Sequence, residues 1–416
     1  MSESKKDAST SRRIRFGPGW LVTAAFIGPG TVVTATKAGA EFGCQLLWTI
    51  VFAGFAAVVL QSLTARVGVL QKRGLGEAIR ASLDGSLWLK PAVLLIVAAI
   101  GVGNTAYQTG NLTGAATGLT SVTPLGARIA TLAIASFAVL LVWVGRYQVL
   151  HVTLVALVIV LSVAFLSTAL LSPPSVERLA TGAFVPRIPS GSLSVVLGLI
   201  GTTVVPYNLF LHASAAAKTW PDSKPDDQRD AIRESDRDTF LSVMIGASVT
   251  AAICVTAAVA FHDRNLPWTS ISDTAEQLRP AFGSASTIAF GVGLFAAGLT
   301  SSITAPMATA FAIRGCLGRP YSDDTREDRV IAVAVIVVGA VLALSIGRSP
   351  AGVIVFAQVS NGLLLPIVAA FLLFAVARTK VPHARLGNFR FGIAVCIVLG
   401  VSCLGLYRLL LAILSL

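Results

Sequence analysis

The sequence predicts an all-α membrane protein with eleven transmembrane helices, of which the first and the sixth are broken at proline. Composition is the first observation behind this class: of the 416 residues, 55% are apolar and only 12% are charged, against about 25% in soluble domains. The second is that the apolar residues form evenly spread runs of about 20, the length that crosses a bilayer as a helix. The third is a proline inside each of two runs, at Pro29 and Pro206.

The apolar runs leave only short connections, and the longest polar connection covers residues 218–238. Residues 1–18 are polar and basic, so we predict a disordered cytoplasmic tail there and a single transmembrane domain over residues 19–416. The predicted spans are 19–43, 45–70, 91–119, 128–144, 150–171, 192–217, 239–261, 286–313, 330–346, 351–377 and 391–414.

Basic residues predict the orientation. The net charge is +12, and Lys and Arg are concentrated in connections on the side of the amino-terminal tail, which is therefore predicted to be cytoplasmic. This distribution is typical of membrane insertion and not of nucleic-acid binding. The compact connections favour a multi-pass protein of a bacterial inner membrane. Three basic residues fall inside spans, Lys37, Arg66 and Arg408; the last two are expected to snorkel or to form structural ion pairs.

The two prolines lie at matching positions of a possible internal repeat. Proline removes a backbone donor and clashes with the preceding helical turn, and Pro29 is flanked by Gly28 and Gly30. Paired interruptions of this kind indicate the substrate site of a secondary transporter, while two ordinary kinks are the alternative. The repeats cover about 19–171 and 192–377, and 391–414 is an additional helix.

Several stretches carry a family resemblance. Gly17–Gly19, Gly28–Thr31, Ala38–Gly43 and Leu46–Trp48 are similar to the first two helices of the Nramp family, Val204–His212 to its sixth helix, and Gln358-Val359 to the start of its tenth-helix motif. Members of that family are proton-coupled transporters of divalent transition metals. The resemblance covers nearly the whole chain, and it implies the LeuT-type fold, an inverted repeat of five plus five helices with broken helices 1 and 6.

The sequence departs from this family at the positions that carry its function. Members bind metal through an Asp-Pro-Gly-Asn motif and a methionine, and the resemblance places Gly28, Thr31 and Val205 at the Asp, Asn and Met positions. It also places Tyr207 at a histidine, Asn104 and Tyr107 at an acidic pair linked to proton movement, and Lys37 at a glutamine.

Acidic side chains are missing from the apolar part of every predicted span, and Glu41 is the nearest. Divalent cations normally bind carboxylates, and the softer transition metals also bind thioether or imidazole ligands. We therefore predict no transition-metal site.

The remaining donors fit a small anion. Each helix that resumes after a break presents unpaired N–H groups and a partial positive charge, and such ends face anionic substrate groups in broken-helix transporters. Lys37 lies about two turns after Gly30 on the same face, although it can also snorkel to the outer interface. The predicted substrate-binding residues are Gly28, Gly30, Thr31, Thr34, Lys37, Thr202, Thr203, Val205, Tyr207 and Asn208.

Bicarbonate is the specific substrate hypothesis, because it is small and planar and accepts hydrogen bonds on all sides. Nitrate, chloride and small carboxylates stay open. One alternative is a carrier of Mg²⁺ or Mn²⁺ that surrounds a hydrated ion with hydroxyls and carbonyls. An alternative of another class is a membrane receptor or sensor that moves nothing, but such a protein usually needs a soluble signalling domain, and none is visible in the sequence.

Coupling and gating residues are predicted on three further spans. Thr300 and Ser301 present paired hydroxyls that are suited to a coupling Na⁺, as the LeuT-type resemblance implies for a symporter, and their alternative role is helix packing. The predicted gating residues are Gln358, Asn361, Asn104 and Tyr107, with Gln358 and Asn361 on the outer side.

The sequence shows no nucleophile–base pair, no phosphate-binding loop and no cluster of His and Cys at metal-ligand spacing. We predict no enzymatic activity and no cofactor apart from a possible bound Na⁺. The expected partners are the lipid bilayer and a small inorganic ion, with no nucleic acid and no obligate protein partner.

Overall fold

A computed structural model describes residues 27–145, 148–221, 227–319, 325–346, 349–378 and 388–414. Within these ranges helices joined by turns and short irregular connections make up the structure, and there is no strand. Ten helical segments are long and apolar enough to cross a membrane, and they match the second to the eleventh predicted spans. The tail at 1–18, the motif at Gly17–Gly19 and most of the first half of the first span lie outside the described residues. The predicted all-α membrane class is confirmed.

The described helices are α1 Pro29–Phe42, α2 Leu47–Gln71, α3 Leu75–Ser82, α4 Leu89–Thr120, α5 Ala127–Val144, α6 Gln148–Leu171, α7 Val176–Phe184, α8 Leu193–Thr203, α9 Pro206–Thr219, α10 Gln228–Ala257, α11 Ser286–Cys316, α12 Arg326–Ser345, α13 Pro350–Ala377 and α14 Asn388–Leu414. A π-helical turn, Ala258–His262, extends α10, and a 3₁₀ segment, Ile271–Leu278, precedes α11.

The sixth span is broken where the sequence predicts. It consists of α8 and α9, which are separated by Val204 and Val205, and α9 begins at Pro206. Proline is favoured at the first helical position because its missing N–H would be unpaired there in any case and its fixed φ suits a helix. This span is the centre of the bundle, since 94% of its apolar stretch is buried.

The first span shows the same local design where it is described. Gly28 is extended, with φ −112° and ψ 179°, and Pro29 is the first residue of α1. The two helices that resume after the breaks therefore both begin with proline.

Small residues hold the broken helices against unbroken ones. A methyl group on Gly201 would lie 2.0 Å from the carbonyl oxygen of Gln358, so α8 packs directly on the backbone of α13. A methyl group on Gly39 would lie 2.0 Å from the carbonyl oxygen of Cys254, and α1 packs on α10 in the same way. Close approach through small residues is how membrane helices gain packing energy without a hydrophobic driving force.

Charged pairs fix the ends of the helices that carry the predicted cytoplasmic connections. Arg66 donates to both carboxylate oxygens of Asp236, at 3.1 and 2.8 Å, which confirms an ion pair for this residue. Asp236 belongs to α10, which starts at Gln228. Part of the predicted connection 218–238 is therefore helical, because Arg, Glu and Gln are good helix formers and can continue a helix past the bilayer. Arg408, which was expected to snorkel or to form an ion pair, donates to the neutral hydroxyl of Ser194 at the start of α8, at 3.0 Å.

The connection between α10 and α11 packs into the opposite end of the bundle. Gln277, which is 1% exposed, donates to Thr36 of α1 at 3.0 Å and accepts from Thr256 of α10 at 2.9 Å. Nearby, Arg178 donates to both carboxylate oxygens of Asp263, and this hydrogen bonding lowers the pKa of Asp263. These contacts close the bundle at the end towards which α1 runs.

Candidate functional site

The two breaks meet at a pair of threonines. Thr31 lies in the first turn of α1 and Thr202 in the last turn of α8. Their hydroxyl oxygens are 2.8 Å apart, and both side chains are 2% exposed. The structure thus brings together residues that are 171 positions apart in the sequence, as expected for broken helices of two repeats that share one site.

Asn208 is the polar side chain of this site that most needs a ligand. It lies in the first turn of α9 and is 1% exposed, and neither its amide nitrogen nor its oxygen has a hydrogen-bond partner among the described residues. The hydroxyl of neighbouring Tyr207 lies within hydrogen-bonding reach of the Tyr107 hydroxyl, so the unpaired group is the Asn208 carboxamide. Because leaving a buried polar group unpaired costs about 1–3 kcal/mol, these atoms indicate a place where a ligand or water binds.

Gly28 is enclosed by two hydroxyl groups. A methyl group at this position would lie 3.1 Å from Oγ of Ser301 and 3.5 Å from Oη of Tyr107. The ring of Tyr107 packs against that of Tyr207, with centroids 5.7 Å apart and planes inclined by 55°. Tyr107, predicted as a gating residue, and Ser301, predicted as a Na⁺ ligand, are therefore both part of the site at the break.

Backbone groups add both signs of partial charge. The last carbonyls of α8 have no partner within that helix. In the first turns of α1 and α9 the prolines have no N–H and the N–H groups of Val32 and Asn208 donate to Gly28 and Val205, so the N–H groups of Gly30 and Tyr207 are the ones without an acceptor in their own helix. A helix N-terminus carries a partial positive charge and a C-terminus a partial negative charge. The site can therefore present carbonyl oxygens to a cation or N–H groups to an anion.

Gln358 covers the break from α13. A methyl group on Gly30 would lie 2.1 Å from its amide nitrogen, and its amide oxygen has no partner among the described residues. Thr34, one turn further along α1, is also buried, with a hydroxyl that lacks a described partner. Gln358 therefore packs on the break itself, and its role as an outer gate stays a prediction.

Two predicted substrate-binding residues, Lys37 and Thr203, and two predicted gating residues, Asn104 and Asn361, make other contacts. Lys37 forms an ion pair with Glu41 and its side chain is 30% exposed; it lies about 12 Å along α1 from Pro29. The hydroxyl of Thr203 donates to the carbonyl of Leu199 within α8. Asn104 donates to Thr309 on α11 at 2.6 Å, and Asn361 faces α4 at Gly103. Lys37 therefore lies outside the cluster. The hydroxyl of Thr203 keeps oxygen lone pairs, and the gating roles of Asn104 and Asn361 stay predictions.

Two other predicted residues keep limited roles. The side chain of Val205 is buried with Tyr107 and Tyr207 in an apolar cluster, so only its backbone can meet a ligand. Thr300 donates its hydroxyl hydrogen to the carbonyl of Ala296, which leaves oxygen lone pairs for a cation.

Gln108 and Asn111 are further buried polar residues of α4 that were not predicted as site residues. Gln108 donates to the carbonyl of Ser302 at 3.2 Å, while its amide oxygen and the amide nitrogen of Asn111 have no described partner. The signal was available, since Asn104, Gln108 and Asn111 recur at helical spacing on one face of an apolar span. Within the described ranges no group of three or more His, Cys, Asp and Glu side chains is placed to hold a metal ion.

Known proteins share this architecture. A family model described as "Natural resistance-associated macrophage protein-like" matches residues 19–411. A protein named divalent metal cation transporter MntH, from Mesorhizobium japonicum, is 30% identical over 383 residues, which are 89% of this chain and 82% of that protein.

Solved structures agree on the fold. A crystal structure of the Eremococcus coleocola manganese transporter, in complex with an aromatic bis-isothiourea substituted compound, matches with a TM-score of 0.73 at 22% identity, covering 94% of this chain and 85% of that one. The inward-facing conformation of Mhp1 matches with a TM-score of 0.57 at 15% identity, covering 95% and 89%. The matched family model, the relative and the broken helices together show that this chain belongs to the Nramp family and has the LeuT-type fold.

Proposed function

We propose that the protein is a secondary transporter that carries a divalent cation, Mg²⁺ or Mn²⁺, by alternating access, and that the ion keeps much of its hydration shell. The observations that carry this proposal are the buried Thr31–Thr202 hydroxyl pair, where the two breaks meet, and the buried carboxamide of Asn208 in the first turn of α9, which has no hydrogen-bond partner among the described residues. Mg²⁺ gives up water reluctantly and usually keeps several water ligands. Hydroxyl and amide groups suit those waters as hydrogen-bond partners.

The relatives support a cation over the anion that the sequence favoured. The Mesorhizobium protein is named a divalent metal cation transporter, and the comparisons offer no support for bicarbonate. The last turn of α8, which contains Thr202, supplies carbonyl oxygens that carry a partial negative charge. A small anion stays the second candidate for two reasons. The helices that start at Pro29 and Pro206 direct N–H groups towards the site, and Thr31, Thr202 and Asn208 are not acidic.

Further assignments belong to the same proposal. Thr300 and Ser301 remain candidates for a coupling Na⁺, supported by Ser301 lying next to Gly28. Lys37, paired with Glu41 at the end of α1, is assigned to the entrance and not to the ion itself. A cytoplasmic amino-terminal tail at 1–18, a bacterial inner membrane and one transmembrane domain complete the proposal.

Uptake into proteoliposomes tests the proposal. The purified protein is reconstituted, and Mg²⁺, Mn²⁺ and ¹⁴C-bicarbonate are offered separately, with and without a Na⁺ gradient, against protein-free liposomes. We expect divalent cation uptake above the control and no bicarbonate uptake. Bicarbonate uptake without metal uptake would show that the substrate is the anion and not the cation. No uptake of any ion, together with thermal stabilisation by one of them, would favour a receptor.

A further inference from the structure

We infer that Gln108 of α4 is a positioning residue that fixes Ser301 of α11 at the first break. Its side-chain amide does this by binding the backbone carbonyl of Ser302, which Pro306 leaves without a helical donor. The inference goes beyond the proposed function, because it concerns the shape of the site whichever ion is carried.

Pro306 opens a gap in the hydrogen bonding of α11. It lies inside this helix, where each carbonyl normally accepts from the N–H four residues later. Proline has no N–H, so the carbonyl of Ser302 loses this donor, and the proline ring also clashes with that carbonyl and bends the helix. The gap lies in the interior, since Ser302 is 0% exposed, and a buried carbonyl without a donor is costly.

Gln108 supplies the missing donor. Its side-chain nitrogen donates to the carbonyl of Ser302 at 3.2 Å. The side chain is fully buried, and a methyl group on Gly339 of α12 would lie 2.8 Å from its Cγ. Because α12 packs this closely, the amide has little room to turn away from α11. Membrane helices tolerate proline where a neighbouring helix satisfies the freed backbone group in this way.

A second contact holds α11 beyond the proline. Asn104, one turn before Gln108 on α4, donates to the hydroxyl of Thr309 at 2.6 Å, and Thr309 follows Pro306 by three residues. The two amides of α4 therefore bind α11 on both sides of the bend. The angle of the bend cannot change without breaking one of these hydrogen bonds.

The bend matters for the site because Ser301 directly precedes the residue with the freed carbonyl. A methyl group on Gly28 would lie 3.1 Å from Oγ of Ser301, so a displacement of this turn would change the wall of the first break. Binding groups have to stay within about 0.5 Å of their productive geometry. Loss of the Gln108 amide is therefore expected to disturb ion binding as well as stability.

A double-mutant cycle tests this role. Gln108→Met keeps the length of the side chain and removes its amide, while Pro306→Ala returns an N–H to the carbonyl of Ser302. We expect Gln108→Met alone to lower the melting temperature in detergent and to raise the KM for Mn²⁺ uptake by about three- to tenfold. In the Pro306→Ala background the same replacement is expected to have little effect on either quantity, because the helix then supplies the donor itself.

A distance within α11 separates positioning from packing. Spin labels that replace Ile288 and Leu317, which are 62% and 47% exposed, lie near the two ends of α11 on either side of Pro306 and report its bend by electron paramagnetic resonance. The two exposed cysteines of α14 are first replaced by serine. We expect the distance between the labels to shift in Gln108→Met, and not to shift when Gln108→Met is added to Pro306→Ala.

Another buried glutamine supplies the matched control. Gln61 of α2 is 1% exposed, and Gln61→Met is expected to have the same effect on the melting temperature with and without Pro306→Ala, and to leave the label distance unchanged. If Gln108→Met folds only together with Pro306→Ala, that rescue supports the inference.

The opposite results overturn the inference. An equal effect of Gln108→Met in both backgrounds, or a failure to fold in both, would show that its amide does not serve the freed carbonyl. An unchanged label distance would show that it does not position α11. If the unmodified protein carries no Mn²⁺, the proposed function loses its support separately, since the melting temperatures and the distance are measured without an ion.

Discussion

Replacing Asn208 with alanine is expected to reduce ion uptake by about 10- to 100-fold while leaving the fold intact. Hydrogen bonds to charged groups contribute about 1.5–3 kcal/mol each, and the carboxamide of Asn208 is buried in the site without a described internal partner. Its removal therefore takes a contact from the ion or its waters and breaks no side-chain hydrogen bond among the described residues. We expect an unchanged or slightly higher melting temperature together with the loss of transport.

The same uptake assay contains its own control. Asn265 is exposed after α10 with φ 53°, a conformation that glycine adopts readily, so Asn265→Gly is expected to transport normally. If Asn208→Ala and Asn265→Gly both transport as fast as the unmodified protein, the ion binds elsewhere and the site at the breaks is misassigned.

Replacing Asp328 with alanine is expected to cause the largest loss of stability, about 3–5 kcal/mol. Its side chain is fully buried and accepts from the guanidinium of Arg314, which is only 9% exposed. It also accepts from the backbone N–H of Thr325 at 2.9 Å and from the hydroxyl of Thr325 at 2.7 Å, as part of the capping box of α12. Breaking such a pair leaves an uncompensated buried charge and removes a helix cap.

Thermal unfolding in detergent measures this loss, and a neighbouring pair supplies the comparison. Glu327 pairs with Arg319, and both side chains are about half exposed, so Glu327→Ala is expected to cost less than about 1 kcal/mol. Equal shifts of the melting temperature in both variants would show that the buried Arg314–Asp328 pair contributes no more to stability than the exposed pair does.

The transmembrane helices and the breaks were predictable because both depend on local rules. Hydrocarbon thickness sets the length of a span, and proline disrupts a helix whatever surrounds it. Ten spans and the break at Pro206 are confirmed for this reason. The helical start of α10 was missed because hydropathy marks where a helix leaves the bilayer and not where it ends.

The site was predictable only in part, since side-chain partners depend on tertiary packing. Thr31 and Thr202 meet as expected, yet nothing local indicates that Tyr107 of α4 faces Gly28. The pairing of Lys37 with Glu41 did follow a readable rule, four residues along one helix face, and overlooking it contributed to the anion hypothesis. The sequence did not determine whether the substrate is a cation or an anion, because neutral hydrogen-bonding groups next to helix N-termini and C-termini can bind either.

The uncharged site has an electrical consequence. The described side chains that line the breaks, among them Thr31, Thr202, Tyr107, Tyr207 and Asn208, carry no acidic or basic group, so the site alters its total charge only by what it binds. A dication entering through it would move two charges down the membrane voltage and gain about 4.6 kcal/mol per 100 mV, enough to sustain a roughly 2,000-fold gradient. Clamping liposomes inside-negative with a potassium ionophore is expected to accelerate uptake, and indifference to voltage would require a compensating counter-charge.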